Sequence, residues 1–153
     1  MKGGNHTMDD IQMRMMELSY NGYFCSQILL ILGLEAQGKS NPDLVRAMGG
    51  LANGCGFSGG PCGTLTGAAC LLSLYAGKGT DDEYADDNLT YMLRDLGEWF
   101  TGTYGSRYGG TTCEAIVGDR TEMRQRCGAI VTETYTKVIE LLTAGGYDIA
   151  AGK

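Results

Sequence analysis

Apolar residues recur along the chain at helical spacing, with little of the strict alternation expected of half-buried strands. From Met8 to Tyr20 the positions Ile11, Met15 and Leu18 form one stripe, which Met16 widens, and the Asn21-Gly22 pair ends it. A second helix is predicted from about Tyr23 to Leu34, with Cys25 in its first turn. Asn41-Pro42-Asp43 marks another helix start, with Pro42 at the first position and Leu44, Val45 and Met48 on its apolar face. Pro61 is expected to open a helix running to about Ala76, and Asp81 to Tyr104 to form the next. Gly102, Gly105, Gly109 and Gly110 break that pattern. A last long helix, from Thr121 to about Ala144, carries Ile130, Val131, Tyr135, Val138 and Leu142 and stops at Gly145-Gly146.

No repeat is visible, so the pattern predicts an all-α fold: a compact helical bundle with a glycine- and cysteine-rich loop leading into a central helix. Residues 8–147 form the expected single domain, between a flexible N-terminus at 1–7 and a flexible tail at 148–153. A chain of 153 residues has room for one such core, burying about 68–70% of the surface its unfolded form exposes.

Charge narrows the partners. Eighteen acidic residues against twelve basic ones give a formal net charge of -6, without the basic excess that binds phosphate backbones, so nucleic acid is not expected. The longest apolar block, Ile28 to Leu34, falls far short of the roughly 20 residues that span a bilayer. The acidic, unbroken N-terminal pattern lacks a secretory leader, and a cytoplasmic location is the expectation.

Cysteine is the chemistry available. His6 is the single histidine, which disfavours imidazole-based metal sites and Ser-His or Cys-His catalysis, whereas there are six cysteines. In a reducing compartment these point to metal binding, redox exchange or core packing rather than structural disulfides. From Gly49 to Gly63 seven of fifteen residues are glycine, a density that suits close backbone approach or positive φ. Cys62 is expected at the second position of the helix begun by Pro61, where unpaired N–H groups and the helix dipole favour a thiolate. Gly59, Gly60 and Gly63 leave room for a cofactor to reach the backbone there. Cys55, in the same loop, is a second candidate for ligand or resolving thiol. Cys25 and Cys113 also sit beside breaks in regular structure, and Cys127 lies near Arg120, Arg124 and Arg126. Cys70, in an apolar mid-helix run, reads as a core residue. No CxxC or CxxCH is present, so a thioredoxin-type site and covalent haem are not expected.

The segments Asn21–Gln27, Gly54–Ala68, Cys113-Glu114 and Cys127-Gly128 together resemble a redox-active family named for its pattern C, GCAxxG, C, C, over about residues 20 to 130. Two registers fit the middle element, Gly54 to Gly59 and Cys62 to Gly67, with Gly56 or Thr64 in place of the family's alanine. The resemblance implies a small, mostly helical protein with redox-active cysteines and an iron–sulfur centre as one form of that chemistry.

Three functions follow from residues and resemblance together. In the first, an electron carrier holds an iron–sulfur cluster on Cys25, Cys62, Cys113 and Cys127, with Cys55 as substitute, and serves a redox partner protein. In the second, a metal-free protein cycles a disulfide between Cys62 and Cys55, Cys25 or Cys113. In the third, zinc on four thiolates stabilises a helical binding module. Trp99, Phe100, Tyr104 and Tyr108 are positioned to form core or to shield a centre from water. A homodimer is the default assembly for a protein of this size.

Overall fold

The structure, a computed structural model, describes residues 7–119, 121 and 123–152; His6, Arg120 and the side chain of Arg124 lie outside the described residues. It is all-α. Helices α1 (Met8–Tyr20), α2 (Cys25–Ala36) and α3 (Pro42–Met48) are followed by a 3-10 turn, Gly49–Leu51, and a short helical segment, Ala52–Phe57. Then come α4 (Gly63–Ala76), α5 (Asn88–Phe100), α6 (Cys113–Val117) and α7 (Met123–Ala144). Among the described residues the only β feature is an isolated antiparallel bridge between Pro61 and Thr112.

The termini of α1 and α3 match their sequence signals. Thr7 caps α1 in a capping box with Asp10, and the Asn41 side chain accepts from the Leu44 amide to start α3. The stripe predicted for α1 buries Met15 and Leu18 and leaves Met16 exposed. Helix α4 is the hub. Its Leu71 and Leu72 are fully buried in the main core with Leu29 of α2, Leu96 of α5, and Val138 and Leu142 of α7. At roughly 1.5–3 kcal/mol per buried large aliphatic side chain, this shared core is the main force holding the bundle together.

Glycine sets how closely α2 and α4 approach. A Cβ on Gly67 would stand 2.8 Å from the Ser26 Cα, and one on Gly33 would stand 2.2 Å from a Leu71 methyl. These pairs advance together along both chains, so the two helices run parallel and their N-termini lie at the same end. The Ser26 hydroxyl, fully buried, donates to the Met48 carbonyl at 2.8 Å and ties α3 to that end.

Three boundaries differ from the expectation. Pro61 does not begin α4: it lies in the bridge to Thr112, and Cys62 is the N-cap, with φ -51° and ψ 130°. Proline lacks an N–H, and here the Cys62 amide makes the tertiary bond, to the Thr111 carbonyl at 2.8 Å. Residues 81–87 are turns rather than the start of α5, because their acids bind nearby groups instead: Glu83 accepts from the Gly79 and Thr80 amides, and Asp86 from the Asn88 amide and the Tyr147 hydroxyl. Beyond Phe100 the chain continues through a π-helical turn, Thr101–Gly105, and one more turn, Ser106–Tyr108, which Gly109 ends at φ +77°. At the other end of the chain, the Ile149 carbonyl accepts from the Tyr75 hydroxyl at 2.8 Å.

Candidate functional site

Three cysteines stand at helix starts. Cys25 is the first residue of α2, after a turn in which Gly22 takes φ +95° and the Phe24 amide donates to the Gln27 side chain. Cys62 caps α4, and its carbonyl accepts from the Leu65 and Thr66 amides at 3.0 and 3.2 Å. Cys113 is the first residue of α6, behind Thr112, whose hydroxyl accepts from the Ala115 amide at 3.1 Å. The last two are tied together. The Cys62 amide donates to Thr111 and the Cys113 amide to the Gly60 carbonyl at 3.3 Å, flanking the Pro61–Thr112 bridge.

Cys127 comes from the second turn of α7. Beside it, Arg126 donates to the Ile116 carbonyl at 2.6 Å and lies 5.0 Å from the Tyr108 ring centre, which anchors the end of α6 to α7.

All four of these side chains line one cleft of about 940 Å³. Cys62 and Cys113 are buried, Cys25 and Cys127 half-buried. Gly63 makes the junction possible: a Cβ there would lie 2.9 Å from the Cys25 sulfur and 3.0 Å from the Leu51 carbonyl. Phe100, Tyr104, Ile116 and Ile130, all buried, pack with Cys62, and the Phe100 and Tyr104 rings meet edge to face with centroids 4.8 Å apart. The aromatic group is therefore core packed against Cys62, one of the two roles expected for it.

The thiols feel one another electrostatically. Burial pushes the Cys25 thiol up, with the Cys62 charge adding to it, while hydrogen bonding to Thr64 and to the Ser26 and Asn53 amides pulls the other way. Cys127 is pushed up to about 12, first by burial and then by repulsion from Cys25, Cys62 and Cys113, against which Arg126 works. All six cysteines are free thiols.

The other two cysteines are elsewhere. Cys55 is exposed and does not line the cleft. It sits in a left-handed turn, where Asn53, Gly54, Cys55, Gly56 and Phe57 have φ values of 57°, 61°, 57°, 75° and 61°. That turn packs backbone to backbone on the segment leading into α4: the Gly60 amide donates to Gly54, and a Cβ on either glycine would overlap the other's carbonyl oxygen at under 3 Å. Gly60 thus serves close approach and Gly63 makes room for Cys25, whereas Gly59, at φ +87°, faces open space and serves the turn. Cys70 packs half-buried beside Leu30, Leu34 and Met48.

The family model described as "Putative redox-active protein (C_GCAxxG_C_C)" matches residues 23–141. The chain belongs to this family. In this C_GCAxxG_C_C protein, the register beginning at Cys62 puts its cysteine in the cleft with Cys25, Cys113 and Cys127, and the register at Cys55 does not. No curated protein and no solved structure matches the chain. Among the described residues, no helix is long and apolar enough to cross a membrane.

Sequence reasoning missed the rest of the cleft. Met15, Met16, Tyr20, Tyr23, Phe24 and Asn53 line it too. Met15 and Met16 carried a hint as apolar residues of the α1 stripe, and Tyr23 and Phe24 as part of the Asn21–Gln27 segment, but the stripe reads equally well as core.

Proposed function

We propose that this redox-active family member is an electron carrier in which Cys25, Cys62, Cys113 and Cys127 hold an iron–sulfur cluster for exchange with a redox partner protein. The observation that carries the reading is the convergence of these four thiols, drawn from four separate segments, on one cleft from which Cys55 and Cys70 are excluded. Four thiolates are the ligand set such clusters take, and a cluster supplies one-electron chemistry when bound.

A cluster and a lone ion ask for different spacings of their ligands. Tetrahedral zinc with Zn–S near 2.3 Å needs sulfurs about 3.8 Å apart. Among the described residues no three His, Cys, Asp or Glu side chains are grouped to hold a metal ion. A multi-iron cluster takes its thiolates on different irons and spreads them wider.

The protein's own groups support this use of the site. Cys25 and Cys62 stand at the starts of two parallel helices, α2 and α4, whose dipoles present their positive ends there, which favours an anionic centre. Phe100, Tyr104 and Ile116 keep water from the Cys62 side, and burial from water shifts the potential of such centres. Loading requires loss of the thiol protons, so uptake strengthens with pH.

Anaerobic purification followed by iron and acid-labile sulfide analysis tests the proposal. A brown protein with matching iron and sulfide is expected. A colourless protein that takes up no iron on reconstitution overturns it, and stoichiometric zinc in its place selects the binding-module reading.

The Cys25 sulfur lies against Gly63, the residue after Cys62, and this closeness supports a second reading, a dithiol–disulfide pair. Joining the two sulfurs releases two protons and two electrons to an oxidising partner. Thiol counts that fall reversibly by two on mild oxidation, in iron-free protein, favour it.

A further inference from the structure

The cleft is larger and less polar than four cysteines require. At about 940 Å³ it lies within the usual range for sites that enclose a whole small organic molecule. Its inner end is marked by the buried Cys62 and Cys113, and its mouth by residues with high exposure. Among the described residues, eight large hydrophobic side chains are exposed, and four of them line this one cleft: Met16 at 67%, Tyr20 at 86%, Tyr23 at 39% and Phe24 at 49%. Exposed apolar surface gathered around a concave site marks a ligand or partner rather than chance scatter.

The lining also specifies chemistry. None of the described lining residues is Asp, Glu, Lys or Arg; the polar groups are neutral, among them the Gln12, Asn53 and Gln125 amides. Among the described residues the lining offers a charged ligand no side chain of opposite charge to replace its lost hydration. Three aromatic rings at the mouth suit a flat ring, and side-chain amides suit ring-borne oxygen.

We infer that the outer part of the thiol cleft binds an uncharged aromatic molecule of quinone type, held between the Tyr20, Tyr23 and Phe24 rings and the four cysteines. This deepens the redox reading by giving the centre a small-molecule ligand, and it rests on that reading for the ligand's role though not for its binding.

The probe is tetramethyl-1,4-hydroquinone, which is fully substituted and already reduced, so it neither alkylates nor oxidises thiols. Equilibrium dialysis against the full-length protein as purified is expected to show saturable binding at one site. Phe24→Ser and Tyr20→Lys should each weaken it by about tenfold, the size of one lost aromatic contact. Both leave the helices sound, since serine is a preferred N-cap for α2 and lysine suits the C-terminal end of α1. In iron-free, reduced protein the probe should slow iodoacetamide labelling of Cys25 and Cys127 while the exposed Cys55 labels at its unliganded rate.

Three results overturn the inference: no saturable binding, equal binding of a sulfonated hydroquinone of the same ring size, or affinity unchanged in both variants. Protection of Cys25 and Cys127 that appears with rising protein concentration alone, alongside a doubled mass, would assign the face to a second copy and also overturn it. Because dialysis reads binding whether or not iron is present, a failed iron assay leaves this result standing, and a failed dialysis leaves the iron assay standing.

Discussion

Cys127 shows how far placement alters a side chain that the sequence presents as one cysteine among six. Isolated, its thiol would titrate near 9.0; between the core and three other thiols it is pushed up to about 12. The unfolded chain loses this proton first. In iron-free protein the thiol's contribution to stability is therefore intact below pH about 9 and is lost as pH climbs toward about 12. Urea melts of the iron-free chain should show stability falling across that window, with a shallower fall in Cys127→Ser. The remaining slope belongs in part to Tyr135, which burial also pushes up to about 12. An unchanged slope in Cys127→Ser would mean that the thiol is not held among the others. The identity of the ligand candidates was legible at this scale, because cysteines beside helix breaks stand out in a chain with one histidine. The pairing of Arg126 with Ile116 was not, since an arginine next to a cysteine says nothing about the helix it reaches.

Among the elements, the left-handed turn at 53–57 and the glycine contacts at α4 carry the most specific consequences. Left-handed backbone costs a non-glycine residue about 1–2 kcal/mol, and Asn53, Cys55 and Phe57 all adopt it. Cys55→Gly relieves that term at an exposed position and loses some of the gain to unfolded-state entropy, so a net stabilisation of up to about 1 kcal/mol is expected. Cys55→Ala, which keeps a Cβ, should give none of it. Denaturant melts of the two variants separate the outcomes. Gly63→Ala acts in the opposite direction, because its Cβ meets the Cys25 sulfur and the rigid Leu51 carbonyl. Overpacking there should cost about 1–3 kcal/mol and lower bound iron by moving Cys25, measured by melts and iron content on the same sample. Glycine density in the sequence predicted unusual backbone in this stretch. It did not reveal five consecutive positive φ values, which depend on Gly54 meeting Gly60. The start of α5 was misread for a related reason: acids favour a helix N-terminus, but at 81–87 they serve turns.

For the molecule as a whole, the proposed centre works only as a set. Serine at Cys25, Cys62, Cys113 or Cys127 should each cut bound iron sharply, while Cys55→Ser and Cys70→Ser retain it; iron and sulfide per chain decide this. Loss of iron in Cys55→Ser with retention in Cys62→Ser would reverse the assignment of register. The sequence alone determined the helical class, the span of α1, the start of α3, and five cysteines worth considering, Cys55 among them, because hydrophobic period, capping residues and residue type are local properties. Only the tertiary structure decided that α2 and α4 run parallel with their cysteines at one end, that Cys62 rather than Cys55 faces Cys25, Cys113 and Cys127, and that an apolar mouth stands over them. Those facts depend on contacts such as Gly67 on Ser26 and Thr111 on Cys62, between residues some forty to fifty positions apart. A one-dimensional pattern holds no record of which distant surfaces meet.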